Sequence, residues 1–343
     1  MGAVGRCVVT KRNCISPQNP FDGRYPISLS PWSDMFCTTL HLQSPTGARL
    51  AYHHETARGH GKGIVLISHG LAEHSLRYRA FAERLASEGF HVYAHDHRGH
   101  GETTAPDAPI GRFAQRDGVQ QALRDMLAMC ELATANHPGS PVIQFGHSMG
   151  GLLALSFAQA HSGKIDGLAV WNSNFNPGPA GRAAQAILLA ERMLKGSDVP
   201  SGLLPKLTFG AWAKAVADRR TDFDWLSHDA AEVDKYVGDP LCGFDASVSL
   251  WIDIFAMTYA AANTRAIVRL PKALPVHLAG GDEDPATDFG RSVAWLGRRL
   301  EKAGLADVTC LIHRGLRHET LLERRDLREM PIANFADWCQ RVA

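Results

Sequence analysis

Pro141-Val142-Ile143-Gln144-Phe145-Gly146-His147-Ser148-Met149-Gly150-Gly151-Leu152-Leu153-Ala154-Leu155 decides how the rest of the chain is organised. A short apolar, β-branched run stops at a small residue, presents Ser148, and turns helical after two glycines. Strand, nucleophile, helix is the order of the G-x-S-x-G elbow, here Gly146-His147-Ser148-Met149-Gly150. A serine hydroxyl is a weak nucleophile and has to project from a rigid element toward a base. The sharp turn that holds it there puts the serine in a sparsely populated backbone region, at a strain of about 1–3 kcal/mol. β-Carbons two residues to either side would collide with that turn, which accounts for Gly146 and Gly150. Gly151 lets the new helix lie close to the sheet, and the helix N-terminus turns its free N–H groups toward the site. The competing reading is a glycine-rich strand–helix turn with a capping serine. The strand before and the amphipathic helix after favour the nucleophile.

Upstream, a hairpin is expected from 36–43 and 48–55 about the turn Ser44-Pro45-Thr46-Gly47. Ile64-Val65-Leu66-Ile67 is a continuous apolar run, as in a strand buried on both faces, and ends in His69-Gly70. A helix follows, with Phe81 and Leu85 on its apolar face and Gly89 as its stop. His91–Ala94 is the next buried strand, ending in Asp96-His97-Arg98-Gly99-His100-Gly101. Val119, Leu123, Met126, Leu127 and Cys130 give 118–135 a helical period. The elbow helix runs to about His161, and Leu168–Trp171 is a further strand. Buried strands alternating with amphipathic helices predict a mostly parallel α/β sheet covered on both faces, led by an antiparallel hairpin. Ligands bind such sheets at the carboxyl ends of the strands, where the elbow, His69-Gly70 and Asp96–Gly101 all fall.

After Asn174 the alternation stops. Helical pieces are expected at 183–194, 230–237 and 250–262, and strand rhythm resumes only at Pro275–Ala279. A helix at 292–303, a strand at 308–312 and a helix at 332–342 close the chain. The expected organisation is an irregular arm at 1–34, a core at 35–174 and 271–343, and a helical cap inserted at 175–270. The cap carries Leu188, Leu189, Met193, Leu203, Leu204, Phe209, Trp212, Trp251 and Phe255. Most of these are needed for its own core, and the rest are expected to line an acyl-binding tunnel.

Composition narrows the function. At 343 residues the chain fits one large α/β domain with an insertion, and 45% hydrophobic with 21% charged residues is ordinary for a globular protein. A net charge of +1 gives no electrostatic case for nucleic acid or an anionic membrane. The seven cysteines are odd in number, scattered and without a Cys-x-x-Cys pair, so neither a disulfide framework nor a zinc site is expected, and a reducing cytoplasm is. Residues 1–15 hold Arg6, Lys11 and Arg12 around a three-residue apolar run, so no signal-peptide core is read there. Arg6 stands where myristoylation after Met1-Gly2 wants Ser or Thr. No apolar run is long enough to span a membrane, and a transient contact with a membrane surface is expected through the cap. Nothing in the sequence speaks to oligomeric state.

Ser148 needs a base, an orienter for that base, and oxyanion donors. In chain order Ser, acid, His, the histidines beyond the cap are His277, His313 and His318. His277 falls inside a strand as a core residue, and His313 at a strand end would have to bend back. His318, in the loop Gly315-Leu316-Arg317-His318-Glu319, has room to reach Ser148. The acid is expected after 275–279, at Asp284, which Pro285 would fix, or else at Asp282. Their bland alternative is a solvated acidic turn. Leu71 and Met149 are expected to supply the two backbone oxyanion donors, each worth about 2.7–4 kcal/mol in the transition state. His95, His97 and His100 are closely spaced but lack any H-E-x-x-H pattern, so no metal and no cofactor are expected.

His69-Gly70-Leu71-Ala72-Glu73-His74-Ser75 with Tyr78, Asp96–Gly101 and Gly146–Gly151 resemble three signature loops of the monoacylglycerol lipase and lysophospholipase branch of the α/β-hydrolases. Gly281-Asp282-Glu283-Asp284 and Gly315–His318 resemble that branch's acid and histidine loops, so the likeness runs over about 36–342. The resemblance implies Ser148, Asp284 and His318 as triad, Leu71 and Met149 as oxyanion donors, and hydrolysis of single-chain esters. The cap matches no one member, which leaves the substrate open, and the arm lies outside the pattern. The expected activity is a serine carboxylic-ester hydrolase working through an acyl-enzyme on a small-molecule ester or lipid, monoacylglycerol-like or medium-chain. A lysophospholipase, a Ser-triad aminopeptidase or a carbon–carbon hydrolase are the alternatives. A non-catalytic binding protein is the alternative from another class, and all three triad residues being available argues against it.

Overall fold

The computed structural model describes residues 36–343, so the arm expected at 1–34 lies outside the described residues. In chain order the core runs β1 (Leu40–Gln43), β2 (Arg49–Glu55), β3 (Gly63–Ser68), α1 (Arg79–Ser87), β4 (Phe90–His95), α2 (Gly118–Asn136), β5 (Val142–His147), α3 (Met149–Ala160) and β6 (Gly167–Trp171). Six helices then intervene: α4 (Gly178–Lys195), α5 (Leu204–Leu207), α6 (Phe209–Ala215), α7 (Ala230–Gly238), α8 (Val248–Ala261) and α9 (Thr264–Ile267). β7 (Val276–Gly281), α10 (Arg291–Lys302), β8 (Val308–His313) and α11 (Arg325–Val342) complete the core.

The eight strands form one sheet in the order β1-β2-β4-β3-β5-β6-β7-β8. The β1–β2 and β2–β4 pairs are antiparallel, and the other pairs are parallel. Each inner strand is apolar along its length because alternate side chains enter different cores. On β3, Ile64 and Leu66 join the core under α2, α3 and α10, while Val65 and Ile67 join the one under α1 and α11. The second core is aromatic: Phe145 and Trp171 of the sheet meet Phe81 of α1 and Phe335 of α11 at ring-centroid distances of 5.3–5.7 Å, apart from 6.5 Å for Phe81–Trp171. His277 is a core residue: it is fully buried, and its Nδ1 accepts the Trp171 indole N–H at 3.0 Å.

Two boundaries of core elements depart from expectation, and α4 in the intervening segment begins at Gly178 rather than at 183. β1 begins at Leu40 rather than Phe36, because it pairs only with Arg49–Tyr52 and the chain before it turns inward to set Phe36 against His53. α11 begins at Arg325 and runs through Pro331 rather than starting at Ile332. A proline there removes one backbone hydrogen bond, and burial of Ile332, Phe335 and Trp338 on the aromatic core overrides the loss.

The segment between β6 and β7 packs on the core through α8, whose Leu250 and Trp251 share the larger apolar cluster with Leu153 of α3. Ser247 caps α8 by accepting from Leu250 N–H, and Asp229 caps α7 from Ala231 and Glu232. Of the apolar residues noted in this segment, Leu188 and Leu204 are fully buried. Leu189, Met193 and Leu203 instead stand exposed, at 54%, 87% and 48%.

Candidate active site

Ser148 sits between β5 and α3 at φ 55°, ψ −119°, a region that L-residues rarely occupy. Its N–H donates to Trp171 C=O at 2.9 Å, which anchors the turn to β6. The flanking glycines are required by close approach. A β-carbon on Gly146 would lie 2.2 Å from Gly150 C=O, and one on Gly150 would lie 2.0 Å from Ser68 C=O. Gly151 is needed where α3 crosses β6, since its β-carbon would meet Ser173 Oγ at 2.0 Å.

His318 and Asp284 converge on this serine from the loops after β8 and β7. His318 Nε2 lies 3.0 Å from Ser148 Oγ, and its Nδ1 lies 3.0 Å from each Asp284 oxygen. With Nδ1–H donated to the carboxylate, Nε2 is left to accept the serine proton. Asp284 is fully buried and accepts from Ala286 N–H at 2.9 Å, Thr287 Oγ1–H at 2.9 Å and Asn172 Nδ2–H at 3.1 Å. Burial pushes its carboxyl up, but the His318 ring and the donors around it outweigh burial and hold it below the usual carboxylate range. Asp282 is exposed, and its carboxylate accepts Gly315 N–H at 2.7 Å. Glu283 faces His228 at 3.1 Å. His313 closes β8, with its pKa lowered by burial.

Met149 is the first residue of α3, so its N–H belongs to the helix N-terminus and has no acceptor within the helix. Leu71 follows Gly70, whose backbone passes close enough that a β-carbon would lie 3.3 Å from Ser148 Cβ. Both residues line the same cavity as Ser148 and His318. His69 ties their loop to the loop after β4: its Nδ1–H donates to Gly70 C=O at 2.8 Å while Nε2 accepts His97 N–H at 2.9 Å. His95, His97 and His100 are buried behind it, with burial lowering the pKa of each, to about 3 for His95 and His100.

Residue types alone did not reveal a second layer of buried charge. Glu73 accepts from Gly70 N–H at 2.5 Å, Tyr78 O–H at 2.8 Å and Arg77 at 2.9 Å. Arg77 also forks onto Glu319, the residue after the histidine. His147 Nε2–H donates to His318 C=O at 2.9 Å, leaving Nδ1 3.4 Å from Glu73. Burial opposes charge on the His147 ring, and Glu73 overrides it, holding the imidazole above its ordinary value. The elbow, the Gly70 loop and the His318 loop are thereby bound into one unit. Asn172 is the other unforeseen residue. At φ 48° just past β6, it donates to Asp284 and accepts from Thr320 Oγ1 at 2.9 Å.

The site opens into a cavity of about 770 Å³. Leu152 and Ala184 contribute to its walls, with Phe209, Trp212, Trp251 and Phe255 from the intervening helices. Trp225 stands beside His318, with ring centroids 5.0 Å apart. Glu191, Asp222, Asp224 and Glu232 lie outside the cavity, each within reach of Lys or Arg.

An eight-stranded, mostly parallel sheet flanked by helices, with a strained serine at the β5–α3 turn, defines an α/β-hydrolase. The chain belongs to the family described as serine aminopeptidase, S33, which it matches over residues 59–325, and within the α/β-hydrolases it falls in the monoacylglycerol lipase branch as a carboxylic ester hydrolase. It is 28% identical to human monoglyceride lipase over 302 residues, 88% of each chain. It is 26% identical to monoacylglycerol lipase of Mycolicibacterium smegmatis over 81% of this chain and 88% of that one. A thermostable carboxyl esterase from Bacillus coagulans superposes with a TM-score of 0.80 at 25% identity, over 89% of this chain and 98% of the esterase.

Proposed function

We propose that this chain hydrolyses single-chain carboxylic esters, monoacylglycerol-like or medium-chain, through an acyl-enzyme on Ser148. The observation that carries this is the unbroken hydrogen-bonded series Asp284–His318–Ser148 ending in a cavity with apolar walls. Ser148 Oγ attacks the ester carbonyl as His318 Nε2 takes its proton, and Asp284 stabilises the imidazolium that forms. The N–H groups of Leu71 and Met149 receive the oxyanion. His318 returns the proton to the leaving alcohol, and water repeats the sequence to free the acid.

The cavity volume lies in the range of small-molecule sites, and each buried methylene contributes about 0.8 kcal/mol, so a chain of roughly eight carbons gains several kcal/mol. The polar lining supports a neutral alcohol. Among the described residues that line the cavity there is no Lys or Arg to meet a lysophospholipid phosphate. Its buried carboxylates, Glu73 and Glu319, are already engaged by Arg77, and Asp288 is exposed and pairs with Arg291, so no unpaired buried carboxylate is left for the ammonium of an aminopeptidase substrate. The relatives named above are likewise lipases and esterases rather than carbon–carbon hydrolases.

Among the described residues no helix is long and apolar enough to cross a membrane. Contact with a lipid surface through the inserted helices is part of the proposal. Leu189, Met193 and Leu194 stand exposed on α4 beside Arg192 and Lys195, an apolar face with a basic flank. A reducing cytoplasm is proposed too, in keeping with the free thiols of Cys37, Cys130, Cys242, Cys310 and Cys339. The test of substrate class compares kcat/KM for monoacylglycerols of about four to twelve carbons with that for an aminoacyl anilide. The ester series is expected to be faster and to rise with chain length. Faster turnover of the anilide refutes the assignment.

A further inference from the structure

Asp239-Pro240-Leu241-Cys242 follows α7 and makes a tight turn, with Cys242 N–H donating to Asp239 C=O at 3.0 Å. A turn of this kind brings the side chains of its first and fourth residues near each other. Leu241 N–H holds Asp239 Oδ1 at 2.8 Å, so the other oxygen is aimed outward, and His74 Nε2 lies 2.9 Å from it. His74 comes from the loop that carries Leu71. The two loops are fastened a second time, where Gly243 N–H donates to Ala72 C=O at 2.9 Å. One nitrogen, one oxygen and one sulfur thus stand within 4.8 Å of one another.

We propose that His74 Nε2, Asp239 Oδ2 and Cys242 Sγ form a site for one zinc-class divalent cation, with water as fourth ligand. Imidazole, carboxylate and thiolate are the donors zinc takes in tetrahedral sites. The carboxylate is already oriented by a second hydrogen bond, the outer support that metal ligands need. Cys242 and His74 are buried, whereas the Asp239 side chain is 32% exposed and marks the way in. Burial, with the Asp239, Glu73 and Glu319 carboxylates behind it, pushes the Cys242 thiol up against Arg77, and the same carboxylates favour a cation beside the sulfur. The Cys242 proton leaves to solvent as the sulfur–metal bond forms, and the metal keeps its oxidation state. Spacing along the chain could not announce this set, since 165 residues separate His74 from Asp239.

A second trio, His54, His91 and His137, is the competitor. Its His91 and His137 rings stack at 3.5 Å and 20°, so their in-plane lone pairs run side by side instead of converging. Ala57 N–H also occupies His91 Nδ1 at 3.3 Å.

The test is titration of the full chain with Co2+ and with Zn2+ in chelator-free buffer, read by absorption and by calorimetry in buffers of different ionisation enthalpy. One equivalent is expected, with a sulfur-to-cobalt charge-transfer band, release of a proton, and a Tm raised by zinc. Cys242→Ser should remove the band. Asp239→Asn should weaken zinc binding by more than about 100-fold, beyond what losing an outer-shell partner costs. Tm without metal checks that each variant is folded. Saturation without a sulfur band, or binding kept in both variants and lost in His91→Ala, overturns the proposal.

Discussion

Replacing Asp284 with Asn removes one charge and leaves the shape, which makes it the sharpest test of how His318 is oriented. The carboxylate accepts on both oxygens: His318 and Ala286 N–H on Oδ1, and His318, Thr287 and Asn172 on Oδ2. An amide in its place must turn its NH2 toward one of those donor sets. Facing Oδ1's partners, it opposes Ala286 N–H and forces His318 to carry its proton on Nε2, where Ser148 needs a lone pair. Facing the other way, it opposes Thr287 and Asn172 and leaves a buried donor pair unmatched. Either orientation loses the imidazolium's counter-charge. The expected fall in kcat is about 10⁴-fold, equivalent to about 5 kcal/mol of transition-state stabilisation. Asp282→Asn keeps an oxygen that can accept Gly315 N–H and loses only an exposed charge, so it should cost at most about 1 kcal/mol of stability and keep kcat within a few-fold. Initial rates on a p-nitrophenyl ester, with near-ultraviolet circular dichroism as the folding control, separate the two. An Asp284→Asn enzyme within tenfold of wild type, or an Asp282→Asn enzyme that is worse, refutes this account of the acid.

Asn172→Ala removes a donor from Asp284 and an acceptor from Thr320, so kcat should drop about tenfold with little change in KM. Asn172→Gly, which suits the φ of 48°, should show the same kinetic loss with less loss of stability, and equal kcat in all three proteins would contradict the role. Phe335→Ala empties the centre of the aromatic core and should destabilise by about 3–5 kcal/mol in urea unfolding, a value under 1 kcal/mol being the contrary result. His95, His100 and His277 are each held by burial at about 3 against 6.5 for the free side chain. The unfolded chain therefore binds their protons first as pH falls, and stability present above about 6.5 is lost toward 3, at about 2 kcal/mol per histidine by pH 5. His147 works in the opposite sense, because Glu73 outweighs burial and raises it. A urea midpoint at pH 5 equal to or above that at pH 7 would contradict this balance.

The parts of the molecule legible in its sequence are those set by local chemistry. Ile64–Ile67 and Val142–Phe145 are apolar without a break because both faces of their strands are covered. Gly146 and Gly150 mark a turn in which the backbones of α3, β5 and β3 leave no room for a β-carbon. Asp284 stands apart from Asp282 in the sequence because Pro285 follows it, and in the structure it caps the short 3-10 turn there through Ala286 N–H. What could not be read depends on distant partners. Nothing local marks Glu73, Arg77 and Glu319 as one unit until the fold brings together residues 242 apart. Leu189 and Met193 look like core residues, since a helix's apolar count does not say which side faces water. Pro331 looks like a helix start, and only the packing of Phe335 and Trp338 carries α11 past it.

The central claim is that Ser148 becomes covalently acylated with His318 as its base. Intact-mass and peptide mapping after exposure to a fluorophosphonate, followed by competition with a medium-chain monoacylglycerol, address it most directly. The account predicts one adduct per chain on the peptide holding Ser148, none in Ser148→Ala, labelling slowed by about 10⁴-fold in His318→Ala, and protection by the ester. An adduct on another residue, or ester turnover at wild-type rate in a folded Ser148→Ala protein, would contradict it.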